Sequence, residues 1–213
     1  MLLRADVSNL KVKMAKDKAA QMEEIARAIR DLEESPLYDF RKENGYSAVI
    51  GEGNVDADIM FIGEAPGEQE AKSGRPFVGA AGQVLDELLQ SIGLAREDVY
   101  ITNIVKDRPP QNRDPTVAEI ELYSPLLVRQ LQIIQPKVIA TLGRFAMDFI
   151  LEQFDVAEKG QKIGQLHGKV LAAQAPHGKV SVVPLYHPAV TFYSRDRKQT
   201  LADDFQVLKQ FTK

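Results

Sequence analysis

A chain of 213 residues, 44% hydrophobic and 27% charged, is long enough to bury a sizeable core and has the composition of one α/β domain. It contains no cysteine, which excludes disulfides, thiolate nucleophiles and thiolate-bound metals, and its three histidines leave little scope for a histidine metal site. The net charge of −3, with a pI near 5.7, is not that of a generally basic nucleic-acid binder, although phosphate contacts need only a local patch.

In chain order, Met1 to Lys18 is charged and lacks the apolar core of a signal peptide, so the expected location is cytoplasmic. No apolar run approaches the ~20 residues that span a bilayer. Residues 12–34 read as a helix, with Met22, Ile25, Ala26, Ile29 and Leu32 at helical spacing, ended by Ser35-Pro36. Residues 46–50 are a candidate strand before a turn at Gly51 to Asn54. Ile59 to Ile62 is a buried strand that breaks into a turn carrying Gly63, Glu64, Pro66 and Gly67. A polar loop follows, in which Phe77 stands alone among Pro76, Val78 and Gly79. Val84, Leu85, Leu88, Leu89 and Ile92 then mark one face of a helix over about 80–93.

Val99 to Val105 alternates as a strand, and a loop rich in Pro and Arg occupies 107–115. Thr116 and Glu119 have capping-box spacing and open a long helix to about Ile134, which Pro125 is expected to kink. Lys137 to Leu142 is the next strand and Phe145 to Phe154 the next helix. Residues 160–179 are polar and glycine-rich, with a strand near Val170. Val180 to Leu185 is a buried strand, and Leu201 to Phe211 a closing helix.

Strands alternating with helices imply a mostly parallel sheet covered on both faces. Glu64, Asn103, Gly143 and His187 each fall at the carboxyl end of a predicted strand, where open α/β sheets bind ligands. A dinucleotide fingerprint would need G-x-G-x-x-G, which is absent. A P-loop would need glycine before Lys72-Ser73, where Ala71 stands. A small-molecule nucleotide-binding protein is therefore a third-ranked reading.

Several separated motifs in order resemble the family 4 uracil-DNA glycosylases: Gly63-Glu-Ala-Pro-Gly67 with Glu70 three residues on, Gly74-Arg-Pro-Phe-Val-Gly79, Ile101-Thr-Asn-Ile-Val-Lys106, Arg108-Pro-Pro-Gln-Asn-Arg-Asp-Pro115, Thr141-Leu-Gly-Arg144 and Tyr186-His-Pro-Ala189. The resemblance covers roughly residues 30–211. It implies a three-layer α/β/α fold around a central, mostly parallel four-stranded sheet. It also implies one domain over 1–213, with 1–34 as a helical extension packed on it. The implied activity is hydrolysis of the N-glycosidic bond of uracil in single- or double-stranded DNA, by a monomer that turns over. A catalytically weak relative that binds nucleic acid or a protein partner is the alternative.

The resemblance also assigns roles. Phe77 would stack on the extruded base, against a plain reading as a core aromatic. Asn103 would pair with uracil N3–H and O4, against an Asn that merely ends a strand. His187 would donate toward O2, where charge collects as the bond breaks. Glu64 would position the water or stabilise the cationic sugar, with Glu70 as second candidate. A better-known branch carries Asp where this chain has Ala65, which is placed in the base pocket. Asn112 would touch substrate or water, or cap a turn. Arg75, Lys106, Arg108, Arg113, Arg144, Arg195 and Lys198 would meet phosphates, though each alone reads as a solvated charge. Phe192 or Tyr193, in 190–197, would probe the duplex. His167 and His177 read as solvated.

Family 4 enzymes typically carry a [4Fe–4S] cluster on four cysteines. Alignment of the motifs puts Leu32, Ser35, Asp107 and Tyr123 at those positions, so no cluster or other cofactor is expected. Leu32 and Tyr123 would supply packing there, and Ser35 and Asp107 hydrogen bonds or a pair with a nearby Arg.

Overall fold

The computed structural model describes residues 17–212. Helix α1 covers 17–30, and the part of the predicted helix before residue 17 lies outside the described residues. After α2 (Tyr38–Glu43) come β1 (Glu52–Gly53), β2 (Ile59–Gly63), α3 (Glu68–Ser73), α4 (Ala80–Ser91), β3 (Tyr100–Asn103) and α5 (Val117–Ile134). Then follow β4 (Val138–Leu142), α6 (Arg144–Gln153), α7 (Ile163–Leu166), β5 (Leu171–Ala175), β6 (Gly178–Leu185) and α8 (Arg195–Gln206). Short 3-10 turns lie at Arg96–Asp98, Pro110–Asn112, Pro188–Phe192 and Val207–Phe211. No helix among the described residues is long and apolar enough to cross a membrane.

The sheet runs β1-β3-β2-β4-β6-β5. Its four central strands, β3, β2, β4 and β6, are parallel, as expected, and short antiparallel strands extend it at each edge. The pleat sends successive side chains to opposite faces, and both faces are covered. Met60, Ile62, Ile139 and Val182 pack with Met22, Ile25 and Ile29 of α1, Leu127 and Leu131 of α5 and Met147 and Ile150 of α6. Ile59, Phe61, Ala140, Val183 and Leu185 pack with Leu85, Leu88 and Leu89 of α4 and Leu201 and Phe205 of α8. This two-sided burial explains why β2, β3 and β4 are apolar or buried throughout rather than alternating.

Several local expectations change. Residues 46–50 form no strand: Ser47 and Val49 donate singly to the carbonyls of Ala71 and Lys106, so the segment is stitched to loops, and pairing starts only at Glu52. Helix α5 spans Val117–Ile134 with Pro125 inside it, and its capping box forms as expected, with Glu119 N–H donating to Thr116 Oγ1 at 3.2 Å and Thr116 N–H to Glu119 Oε2 at 2.8 Å. The glycine-rich 160–179 region contains α7 and then β5, which pairs with β6 as a hairpin. Helix α8 begins at Arg195 rather than Leu201, because its first turn is polar and is capped by Ser194.

Candidate active site

The segments at the carboxyl ends of β2, β3 and β6 meet at one cavity of about 560 Å³, in the range of roughly 300–1,000 Å³ usual for ligand pockets. Glu64, Ala65, Glu70, Phe77, Asn103, Asn112, Arg113 and His187 all line it, with Tyr193 at its mouth. Register explains the convergence. Gly63 is the Cα partner of Asn103, and a methyl added to Gly63 would lie 2.3 Å from Asn103 Oδ1 and 2.6 Å from the Phe77 ring. Glycine is what lets an amide and an aromatic close over the end of β2. Gly143, at φ +96°, plays the same part after β4, where a Cβ would lie 3.2 Å from that of His187.

Asn103 is 2% exposed, and its Oδ1 is buried with no partner. An orphaned buried acceptor is uncommon and costs about 1–3 kcal/mol unless a ligand satisfies it. Phe77 is also buried, and its ring centroid lies 5.7 Å from that of His187. The Ala189 N–H donates to His187 Nδ1 at 3.2 Å, which leaves the ring proton on Nε2. Burial, opposed by the Glu70 charge, lowers the His187 pKa to about 4, so at neutral pH the ring is an uncharged donor. Burial, with Asp114 adding and Arg144 opposing, raises the Glu64 pKa to about 7. One carboxyl and one imidazole, pushed in opposite directions in one cavity, form an acid–base constellation suited to bond cleavage.

Other expected residues take different places. Glu70 lines the cavity, but its Oε1 accepts the N–H groups of Val78 and Gly79 at 2.9 and 2.8 Å, so it holds the Phe77 loop. Asn112, at φ +54°, accepts from Arg108 Nε at 2.7 Å. Arg108 also donates to Tyr46 at 2.7 Å and is 10% exposed, which fits a loop brace better than a phosphate contact. Lys106 cannot meet phosphate where it stands. It is fully buried, donating at 2.7 Å to Thr102 Oγ1, the Asn103 carbonyl and Gln130 Oε1, and burial pushes its pKa far down.

Arg113 is held by both carboxylate oxygens of Glu119. Arg75, Arg144 and Lys198 remain exposed, with Arg75 on Glu52, and Arg195 opens α8. Phe192 and Tyr193 are exposed. Neither remaining histidine is simply solvated: His167 pairs with Asp204 at 2.8 Å against Tyr186, and His177 meets the Pro136 carbonyl at 3.0 Å.

The residues at the four cluster positions do not fit a cluster. No thiol exists, and the side chains are spent on one another. Ser35 Oγ lies 2.8 Å from Tyr123 Oη, which donates to Asp107 Oδ2 at 2.6 Å. Arg41 donates to Asp107 Oδ1 at 3.1 Å and to the carbonyls of Ile29 and Arg30. Leu32 packs against the adjoining core. Among the described residues, no group of three or more acidic or histidine side chains could hold a metal.

Residues 50–209 match the family model described as the uracil DNA glycosylase superfamily. Type-4 uracil-DNA glycosylases of Saccharolobus solfataricus and Archaeoglobus fulgidus are each 45% identical to this chain over 87% of its length, covering 84% and 90% of their own. The type-4 enzyme of Thermotoga maritima is 39% identical over 90% of this chain and 95% of its own length. With its motifs gathered round one cavity and these relatives matching most of its length, the chain belongs to the type-4 family of the uracil-DNA glycosylase superfamily.

Proposed function

We propose that the protein hydrolyses the N-glycosidic bond of uracil in DNA and so starts base-excision repair. The observation that carries this reading is the buried, unpartnered Asn103 Oδ1 in the cavity it lines together with Phe77 and His187. The extruded uracil lies on Phe77. Asn103 Oδ1 accepts from N3–H and its Nδ2 donates to O4, whereas cytosine presents an acceptor at N3 and a donor at C4 and leaves both groups unpaired.

Cleavage of C1′–N1 sends the electron pair into the base, and His187 Nε2–H meets the charge at O2 without giving up its proton. Positive charge on the sugar is balanced by the Glu64 carboxylate, which orients water toward C1′ and receives its proton. Ala65 lines the wall, Asn112 borders the substrate, and Arg75, Arg113, Arg144, Arg195 and Lys198 approach phosphates. Phe192 or Tyr193 fills the gap left in the duplex. No step uses a cluster.

Uracil-containing single- and double-stranded oligonucleotides, incubated with the protein and treated with alkali, test the reading. Strand breaks are expected at uracil and not at cytosine, and His187→Ala should lower the rate by about 10²–10³. Binding without breaks would instead favour a nucleic-acid-binding relative.

A further inference from the structure

Phe77 holds a backbone conformation that L side chains rarely adopt, with φ at +50°. Three groups hold it there. Glu70 takes the N–H groups that follow it. Gly82 of α4 lies against its carbonyl, where an added methyl would stand 1.8 Å from the oxygen. The third is Arg96, on the 3-10 turn that leads into β3, whose guanidinium donates to the carbonyls of Pro76 at 2.6 Å and Phe77 at 3.1 Å. Its remaining donors go to Glu52 Oε1 at 2.6 and 2.9 Å and to Asp86 at 2.9 Å. All five N–H groups are thereby engaged. A lysine ammonium offers three donors from one point and has no such fork.

We infer that Arg96 is a positioning residue for base excision: its guanidinium clasps the Pro76 and Phe77 carbonyls so that the stacking ring is in place before the base arrives. This rests on the glycosylase reading. The same segment that leads into β3 and Asn103 thus also fixes the ring, coupling the base-reading amide to the stacking face through one short stretch of chain. Preorganisation of this kind affects the bound, reacting state rather than the affinity for undamaged DNA.

The test compares Arg96→Lys, Arg96→Ala and Gly82→Ala with Ile150→Ala, which opens a cavity in the separate core cluster on the other face of the sheet. Single-turnover uracil release should fall about 10- to 100-fold in the first three. Affinity for DNA lacking uracil should stay unchanged, and methylguanidinium should restore part of the Arg96→Ala rate. Hydrogen exchange at the Val78 and Gly79 amides should quicken about tenfold or more, since these are the bonds that open when the loop is released. Ile150→Ala should lower Tm while retaining the rate and the slow exchange. Arg96 variants with wild-type release and unchanged exchange would overturn the inference. If the wild-type protein releases no uracil, the glycosylase reading falls and the role in excision falls with it, while the exchange data still decide whether the clasp exists.

Discussion

Glu64 and His187 carry opposite perturbations from the same physical source. Burial disfavours the charged form of each, so the carboxyl is raised to about 7 and the imidazole is lowered to about 4. If the Glu64 carboxylate balances sugar charge, kcat/KM should climb as pH rises through about 7, with the acid limb set by Glu64 rather than His187; Glu64→Gln should be slow and flat across that range. The sign for stability is the reverse. A folded pKa above the ordinary 4.5 means the stability contributed by the protonated group is present below pH 4.5 and lost as pH rises through 7. Glu64→Gln should therefore raise Tm more at pH 8 than at pH 5, measurable by calorimetry. Glu64, Asn103 and His187 were legible because each follows or ends a strand within its own motif, and Phe77 because it stands as a lone aromatic in a loop of Gly and Pro. Arg96 was not, since its partners are two backbone carbonyls and two acids dispersed along the chain, and an arginine on a short turn reads as solvated.

At the scale of elements, parallel pairing does the positioning. The β2–β3 register sets Gly63 beside Asn103, and β3 and the Phe77 loop then close on one point. Gly63 has no positive φ, so alanine is tolerable to the backbone there but not to the two side chains above it. Gly63→Ala should retain its circular dichroism and most of its Tm while uracil release drops roughly 100-fold, as expected when a stacking ring and a reading amide move by the order of 1 Å. A near-wild-type rate would mean that Asn103 and Phe77 do not act where they stand. Long periodic elements such as α4 and α5 were readable from sequence, because amphipathic spacing and a capping box are local signals. The edge strand β1, α7 and the start of α8 were not, whereas β5 lies where a strand was expected near Val170. Each of those three is short or polar, and exists because a neighbour supplies its hydrogen bonds or its burial.

Across the whole molecule, the Ser35–Tyr123–Asp107–Arg41 network joins the end of α1, α2, the loop after β3 and α5 at a place remote in sequence from any one of them. Arg41 and Asp107 are 5% and 0% exposed, so removing one strands the other. Asp107→Ala should cost about 3–5 kcal/mol, lowering Tm by about 6–20 °C, whereas Arg41→Met with Asp107→Leu should recover most of the loss. A small effect of the single change would show that the network is not what ties these segments together. The sequence alone determined the class of fold, the order of its four central strands and the long helices between them, and the chemistry-bearing motifs. It did so because hydrophobic period, turn residues and residue identity are properties of short stretches. It also determined that no thiolate is available. Only the tertiary structure decided which cations are spent on loops and which stay exposed, which glycines make room for a neighbour, and how the Phe77 backbone is held. Those outcomes depend on distances between residues tens of positions apart, which exist only once the sheet has paired and both its faces are covered.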